Sequence, residues 1–395
     1  MHRTYPDSSR LRQWAPLTAV MPLALLLSAC SGQAESTSES SAESAEYDAM
    51  SQEELLSAAE EEGEVVVYSF TSRIAAVAEA FQDEYPGIEV VAHDISSSEQ
   101  IERLASEHAA QAATADVAYV SDAPVVVTEL LQEGVLLPYI PERVEDTLAE
   151  EHLEPLVTNR LSTKVLMYNE EAHPEGAPVE NLWELTDEQW SGKVIMVDPS
   201  SRGDYLDLLT EFTLRAEEME ASYQEWAGEP IELEDGQSNA GYKFIADLYA
   251  NDVILVSSTD DVNEAIGAVG QDDPPVGFST YSDRRDNEEE GWALQVANDV
   301  APTPGIIFPA MLGLTAEPEN PAAARLLIDF MMGDDSADGG PGFEPFYVAG
   351  DYPTRDDMED PEGALGLEEF NAWLIDPETS AEERSNISDF ILTVE

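Results

Sequence analysis

The chain has 395 residues, with 17 Lys and Arg against 83 Asp and Glu, a formal net charge of −66. A surface that acidic repels phosphate backbones and anionic headgroups, which excludes nucleic-acid binding and charge-driven adhesion to membranes. Since 43% of residues are apolar and 8% aromatic, the chain still carries enough material for a sizeable core. Such an excess of acid, with only Lys164, Lys193 and Lys243 as lysines, matches a surface that stays hydrated at high salt, where repulsion is screened.

At the N-terminus, Arg3, Arg10 and Arg12 precede an apolar run from about Trp14 to Leu27. Interrupted by Pro16 and Pro22, that run is too short to span a bilayer and reads as a secretory signal over residues 1–29. Leu27-Ser28-Ala29-Cys30 resembles the bacterial lipobox, and Cys30 is the only cysteine in the chain. Lipid attachment at Cys30 is therefore expected, holding the protein in the cell envelope outside the plasma membrane by its acyl chains. Residues 30–49, rich in Ser and Glu, cannot offset their ordering entropy by burial and are expected to be a tether.

The body then alternates between two periodicities. Ser51 to Glu61 reads as an acidic helix, Glu64 to Phe70 as a buried strand, Arg73 to Glu84 as a helix capped by Thr71 or Ser72, and Ile88 to Ala92 as a second strand. Further helices are expected at Ser98 to Ala112, Ala123 to Glu133, Arg202 to Trp226, Asn239 to Ala250, Val262 to Val269 and Ala322 to Met332. Strands are expected at Asp116 to Val120, Lys164 to Tyr168, Lys193 to Val197, Val253 to Ser257, Val276 to Ser279 and Gly305 to Phe308. Alternation of this kind predicts an α/β architecture with mainly parallel sheets.

Several segments, in order, carry a family resemblance: Glu64-Val65-Val66-Val67-Tyr68-Ser69 with Ala80-Phe81-Gln82-Asp83-Glu84-Tyr85-Pro86-Gly87-Ile88, then Met167-Tyr168-Asn169, Leu182-Trp183-Glu184-Leu185 and Trp190-Ser191-Gly192-Lys193-Val194. The Asn320-Pro321-Ala322-Ala323-Ala324 helix start and Tyr352-Pro353-Thr354-Arg355 follow. Together they resemble extracellular solute-binding proteins of ABC importers, in the group containing ferric-iron-binding proteins. The resemblance implies a type II periplasmic-binding fold, two α/β lobes joined by crossing strands with the ligand between them. Lobe one is then expected at 50–157, lobe two at 158–299, and a return to lobe one with C-terminal helices at 300–395, the helices packing across both lobes.

Ligands of open α/β sheets sit at the carboxyl ends of strands, where helix N-termini offer N–H groups. On that ground Ser69, Thr71 and Ser72, then Asp122 beside Ser121, then Ser200, Ser201 and Arg202 are candidate ligand contacts, with helix capping as the alternative for each. Tyr281 follows another expected strand, near where ferric-binding relatives place adjacent tyrosines; here it stands alone between Thr280 and Ser282. Tyr281, with His93 as a weaker partner, is the candidate metal ligand, and Arg284 with Arg285 a candidate anion clamp.

No HExxH, GxSxG, GxxxxGK or GxGxxG pattern occurs, so no catalytic residue is assigned and the chain is not expected to be an enzyme. Asp334 to Gly339 opens like a calcium loop, but Pro345 stands where the twelfth-position acid belongs. The expected function is therefore capture of a small ligand by a monomer that delivers it to an ABC permease and its ATPase. Ferric iron, Fe(III), is the leading cargo and no cofactor is expected. A phosphonate, phosphate ester or other small anion is the alternative ligand, and sensing for a membrane kinase the alternative role.

Overall fold

The computed structural model describes residues 46–394. The expected signal segment, Cys30 and the tether up to residue 45 lie outside the described residues. Tyr47 and Asp48, at the end of the expected tether, belong to the folded body: Tyr47 packs against its core, and Asp48 pairs with Arg325 at 2.7 Å.

The first helix, α1 (Gln52–Glu62), begins with a capping box in which Ser51 and Glu54 satisfy each other's backbone N–H, and it ends on Gly63 at φ 77°. Strand β1 (Glu64–Ser69) follows. Its Val65 and Val67 face one apolar cluster and its Val66 and Tyr68 another, so the run of β-branched residues is buried on both faces. Helix α2 (Ile74–Glu84) buries Ile74, Val77, Ala78 and Phe81. Neither Thr71 nor Ser72 caps it as expected: the cap position falls on Arg73, which makes no capping bond. Strand β2 (Glu89–Asp94), helix α3 (Ser97–Ala110) and strand β3 (Val117–Val120) complete the first α/β unit.

The helix expected from Ala123 to Glu133 is instead one short turn, Ala123–Val125, running into a π-turn, Val126–Leu130. Pro124 and the Thr128 hydroxyl, which donates to the Pro124 carbonyl at 2.7 Å, loosen the ladder there. Two long strands then cross the molecule, β4 (Val157–Asn169) and, much later, β8 (Gly305–Thr315), paired antiparallel with a register shift at Ala310/Met311.

Between them lie β5 (Val194–Val197), α4 (Gly203–Leu214), α5 (Ala216–Ala227), α6 (Ala240–Ala250), β6 (Ile254–Val256), α7 (Thr259–Gly267) and β7 (Val276–Ser279). The single helix expected from Arg202 to Trp226 breaks at Arg215, where ψ is 40°. The break turns α5 so that the Met219 carbonyl accepts the buried Trp183 indole N–H at 3.0 Å. After β8 come α8 (Pro321–Met331) and the C-terminal helix α9 (Pro377–Val394).

Strand order is β2-β1-β3-β8-β4-β7-β5-β6, within a twelve-stranded sheet whose remaining strands are short. The outer strands on either side, β2-β1-β3 and β7-β5-β6, are parallel, and only the central crossing pair runs antiparallel to its neighbours. Two α/β lobes joined by crossing strands result. One lobe's core holds Trp183, Phe212, Phe244 and Phe278; the other fills both faces of β1 and β3. Among the described residues no helix is long and apolar enough to cross a membrane.

Candidate functional site

The carboxyl ends of β1, β2, β6 and β7 open onto one interlobe cavity of about 330 Å³. Five of the chain's 17 basic residues line it, Arg73, Arg160, Lys164, Arg202 and Arg285, beside Asp94, Asp204, Asp260 and Asp283. Basic side chains there outnumber acidic ones, the reverse of the chain as a whole. Ser162, Thr280 and the Ser257-Ser258-Thr259 start of α7 add hydroxyl groups.

The cations are organised in two buried triads. On one side Asp351, fully buried, receives Arg73 at 2.6 Å and Arg160, whose guanidinium also donates from Nε to the Tyr119 hydroxyl at 2.9 Å and lies over the Phe346 ring. Burial pushes the Asp351 carboxyl up, but the two guanidinium groups outweigh it and hold its pKa below the usual carboxylate range. On the other side Asp204 receives Lys164 at 3.1 Å and Arg202 at 2.9 Å, and Lys164 also donates to Thr280 Oγ1 at 2.8 Å.

Asp204 is likewise desolvated, and Arg202 and Lys164 together hold it well below its ordinary value. Lys164 moves the other way: burial lowers it, because it shares its one carboxylate with Arg202 and gains only part of a counterion. Each triad sets two cations against one anion and so keeps one surplus positive charge facing the cavity. Arg285 adds none, since Asp283 at 2.8 Å and Asp286 at 3.0 Å both pair with it.

Of the residues singled out in the sequence, Thr71, Ser72, Arg202 and Arg285 line the cavity. Ser69 is buried and closes the turn after β1, accepting from the Thr71 N–H at 3.2 Å and donating to the Thr71 carbonyl at 3.1 Å. Ser200 and Ser201 form the turn after β5 over Asp198, with the Ser201 carbonyl turned toward Ser98. Asp122 is buried against Arg384 of α9.

Tyr281 is 1% exposed, packs on Phe370 at 5.6 Å between centroids and accepts from Arg284 Nη1 at 3.4 Å. It sits behind the cavity wall, and Arg284 donates to the Leu294 carbonyl at 3.1 Å instead of facing the cavity. His93 lies edge-on against the Tyr68 ring at 5.4 Å. Among the described residues no tyrosine lines the cavity, and no group of three or more His, Cys, Asp or Glu is arranged to hold a metal ion. Sequence reading passed over Arg73, Arg160 and Lys164. The signal for them was scarcity: with three lysines in 395 residues, one inside an expected strand is unusual.

Among the solved structures that share the fold, three illustrate the likeness across most of their length. Iron-bound HitA from Pseudomonas aeruginosa is 19% identical at a TM-score of 0.64, over 84% of this chain and 99% of its own. AfuA from Actinobacillus pleuropneumoniae, with fructose-6-phosphate bound, is 17% identical at 0.62, over 83% and 97%. Apo ferric ion-binding protein A from Pasteurella haemolytica is 17% identical at 0.61, over 84% and 98%. No curated protein sequence matches the chain. The profile of the bacterial extracellular solute-binding proteins matches residues 65–338, well over half of the chain. With two α/β lobes, crossing strands and a charged cavity between them, the chain belongs to the bacterial extracellular solute-binding proteins, the ligand-capturing components of ABC importers.

Proposed function

We propose that this protein captures a small, doubly charged oxyanion, a phosphate ester or phosphonate, and passes it to an ABC permease. The observation that carries this reading is the pair of surplus positive charges from the Arg73/Arg160/Asp351 and Lys164/Arg202/Asp204 triads, one on each side of the cavity. In a molecule of net charge −66, a long-range field cannot draw an anion in, so short-range, desolvated cations must do the work. An anion touching both triads would favour the closed arrangement by its greater affinity for it.

Asp94 and Asp260 also line the cavity and would repel a bare anion. They suit hydroxyl or ammonium groups on the rest of the ligand, which favours an ester over inorganic phosphate. Ferric iron is the weaker reading, since phenolate is the donor that Fe(III) favours and Tyr281 packs behind the wall. Attachment of the chain to the membrane through Cys30 completes the proposed role: a receptor held near its permease.

Calorimetric titration in about 2 M KCl, where surface repulsion is screened, tests the assignment. Fructose 6-phosphate, inorganic phosphate and ferric citrate serve as probes. Saturable binding of the ester, lost in Arg202→Gln, is the expected result. Binding of ferric citrate with a tyrosinate absorbance band, and none of either phosphate, overturns it.

A further inference from the structure

Between the lobes, outside the cavity, α9 carries a cation that faces carboxylates of both. Arg384 donates from Nη1 and Nη2 to the two oxygens of Asp122, which follows β3, the Nη2 contact being 3.1 Å. Its Nε lies 3.2 Å from an oxygen of Asp207 on α4, in the other lobe. That second contact has no hydrogen-bond geometry: Arg384 Nε and both Asp207 oxygens are buried without a hydrogen-bond partner. The guanidinium therefore gives both its Nη hydrogen bonds to the far lobe, while Asp207 on the helix beneath it is held by an ion pair without a hydrogen bond. Burial, opposed by Arg384 and reinforced by Asp122, Asp204 and Glu211, raises the Asp207 pKa well above its usual value.

The two lobes meet closely around this point. Gly203 N–H donates to Ser97 Oγ at 3.1 Å, and Ser98 Oγ donates to the Ser201 carbonyl at 3.1 Å. A Cβ on Gly203 would fall 2.2 Å from an Asp122 oxygen and 2.5 Å from Arg384 Nη2. Helix α9 rests chiefly on α4 and α6, where Tyr242 donates to Glu383 and its ring meets Phe390 at 4.8 Å, and it also touches the Ala123–Leu130 turn of the first lobe.

We infer that Arg384 is a positioning residue for lobe closure, a cation carried by α9 with α4 that clasps Asp122 when the lobes close and returns to Asp207 when they part. A buried ion pair that breaks on opening would ordinarily leave an uncompensated charge. Here each group has somewhere to go. Asp122 gains water, and Arg384 keeps Asp207, already paired with its Nε, and can turn its freed Nη groups to the Asp207 oxygens. Exchange between two partners keeps the clasp specific to the closed form while keeping opening reversible. No ligand enters this inference, so its fate and that of the anion reading are separate.

The test uses the full-length chain carrying Cys30→Ser and spin labels at Glu79→Cys on α2 and Glu225→Cys on α5, both exposed positions. Pulsed electron paramagnetic resonance without ligand reads the interlobe distance. With the clasp intact, a short-distance population is expected. In Arg384→Gln and in Asp122→Asn it should fall roughly tenfold relative to the long-distance one, as loss of a two-pronged charged contact implies. Asp207→Asn, which removes only the resting partner, should leave the short distance dominant. A wild-type chain found only at the long distance overturns the inference. So do unchanged distributions in both Arg384→Gln and Asp122→Asn with melting curves showing folded protein, or an Asp207→Asn lengthening equal to that of Arg384→Gln, which would make the contact a static brace.

Discussion

Asp204→Asn changes stability and binding in opposite directions, and the opposition is what makes it informative. In the wild type the Asp204 carboxylate holds Lys164 at 3.1 Å and Arg202 at 2.9 Å, and both Asp204 and Lys164 are 1% exposed. At an effective dielectric of about 20, each such contact is worth about 5–6 kcal/mol before desolvation. Removing one partner of a buried charged cluster has a net cost of about 3–5 kcal/mol, and the lower end applies because asparagine keeps the shape and one acceptor. Urea unfolding at pH 7 should read a loss near 3 kcal/mol. The same substitution raises the surplus charge of the cavity by one. At about 6 Å from a bound anion that charge is worth about 2–3 kcal/mol, reduced to roughly tenfold tighter binding once salt screens it. Titration of fructose 6-phosphate at fixed salt reads the second number. Weaker binding of the ester by a folded Asp204→Asn protein would refute the view that surplus positive charge governs the site.

Three further outcomes are expected. Asp204 and Asp351 have folded-state pKa values below their unfolded ones, so the stability they contribute is present above about pH 4 and lost as pH falls below it. Asp207 and Glu211, raised by burial, titrate in the opposite sense and lose stability as pH rises through their folded values. Acid titration of Asp351→Asn should therefore fall less steeply than wild type below pH 4, and equal slopes would contradict the triad. Raising KCl from about 0.1 M to about 2 M shortens the screening length from about 10 Å to under 3 Å, and the melting temperature should rise by roughly 10 °C or more. A fall on calorimetry would show that surface repulsion is not what limits stability. Gly241→Ala on α6 would place a Cβ 2.2 Å from the Phe212 carbonyl oxygen of α4, where backbone must move, at a cost of about 1–3 kcal/mol on denaturation; a neutral result would mean the helices separate freely.

Much of this architecture was legible because local chemistry and tertiary environment agree. The run Val65-Val66-Val67 is buried on both faces and could only be an inner strand; Ser51 with Glu54 and Gly63 set the ends of α1 by local hydrogen bonds. Where a second element decides, the sequence was silent. Arg215 breaks a helix whose periodicity continues, because α5 must reach Trp183, and Val126–Leu130 opens into a π-turn under Thr128. The site divides in the same way. Strand-end positions such as Thr71, Ser72 and Arg202 follow from the general rule for α/β sheets and do line the cavity. Asp351 is 191 residues from Arg160 and 278 from Arg73, separations that no periodicity reports. Lys164 is a strand residue whose charge reaches Asp204 only after the crossing strands form. Sequence alone determined most of the strands and helices and how scarce cations are. Only the tertiary structure decided that five of them converge between the lobes and that Tyr281 turns into the core, because charge pairing acts through space and carries no period along the chain.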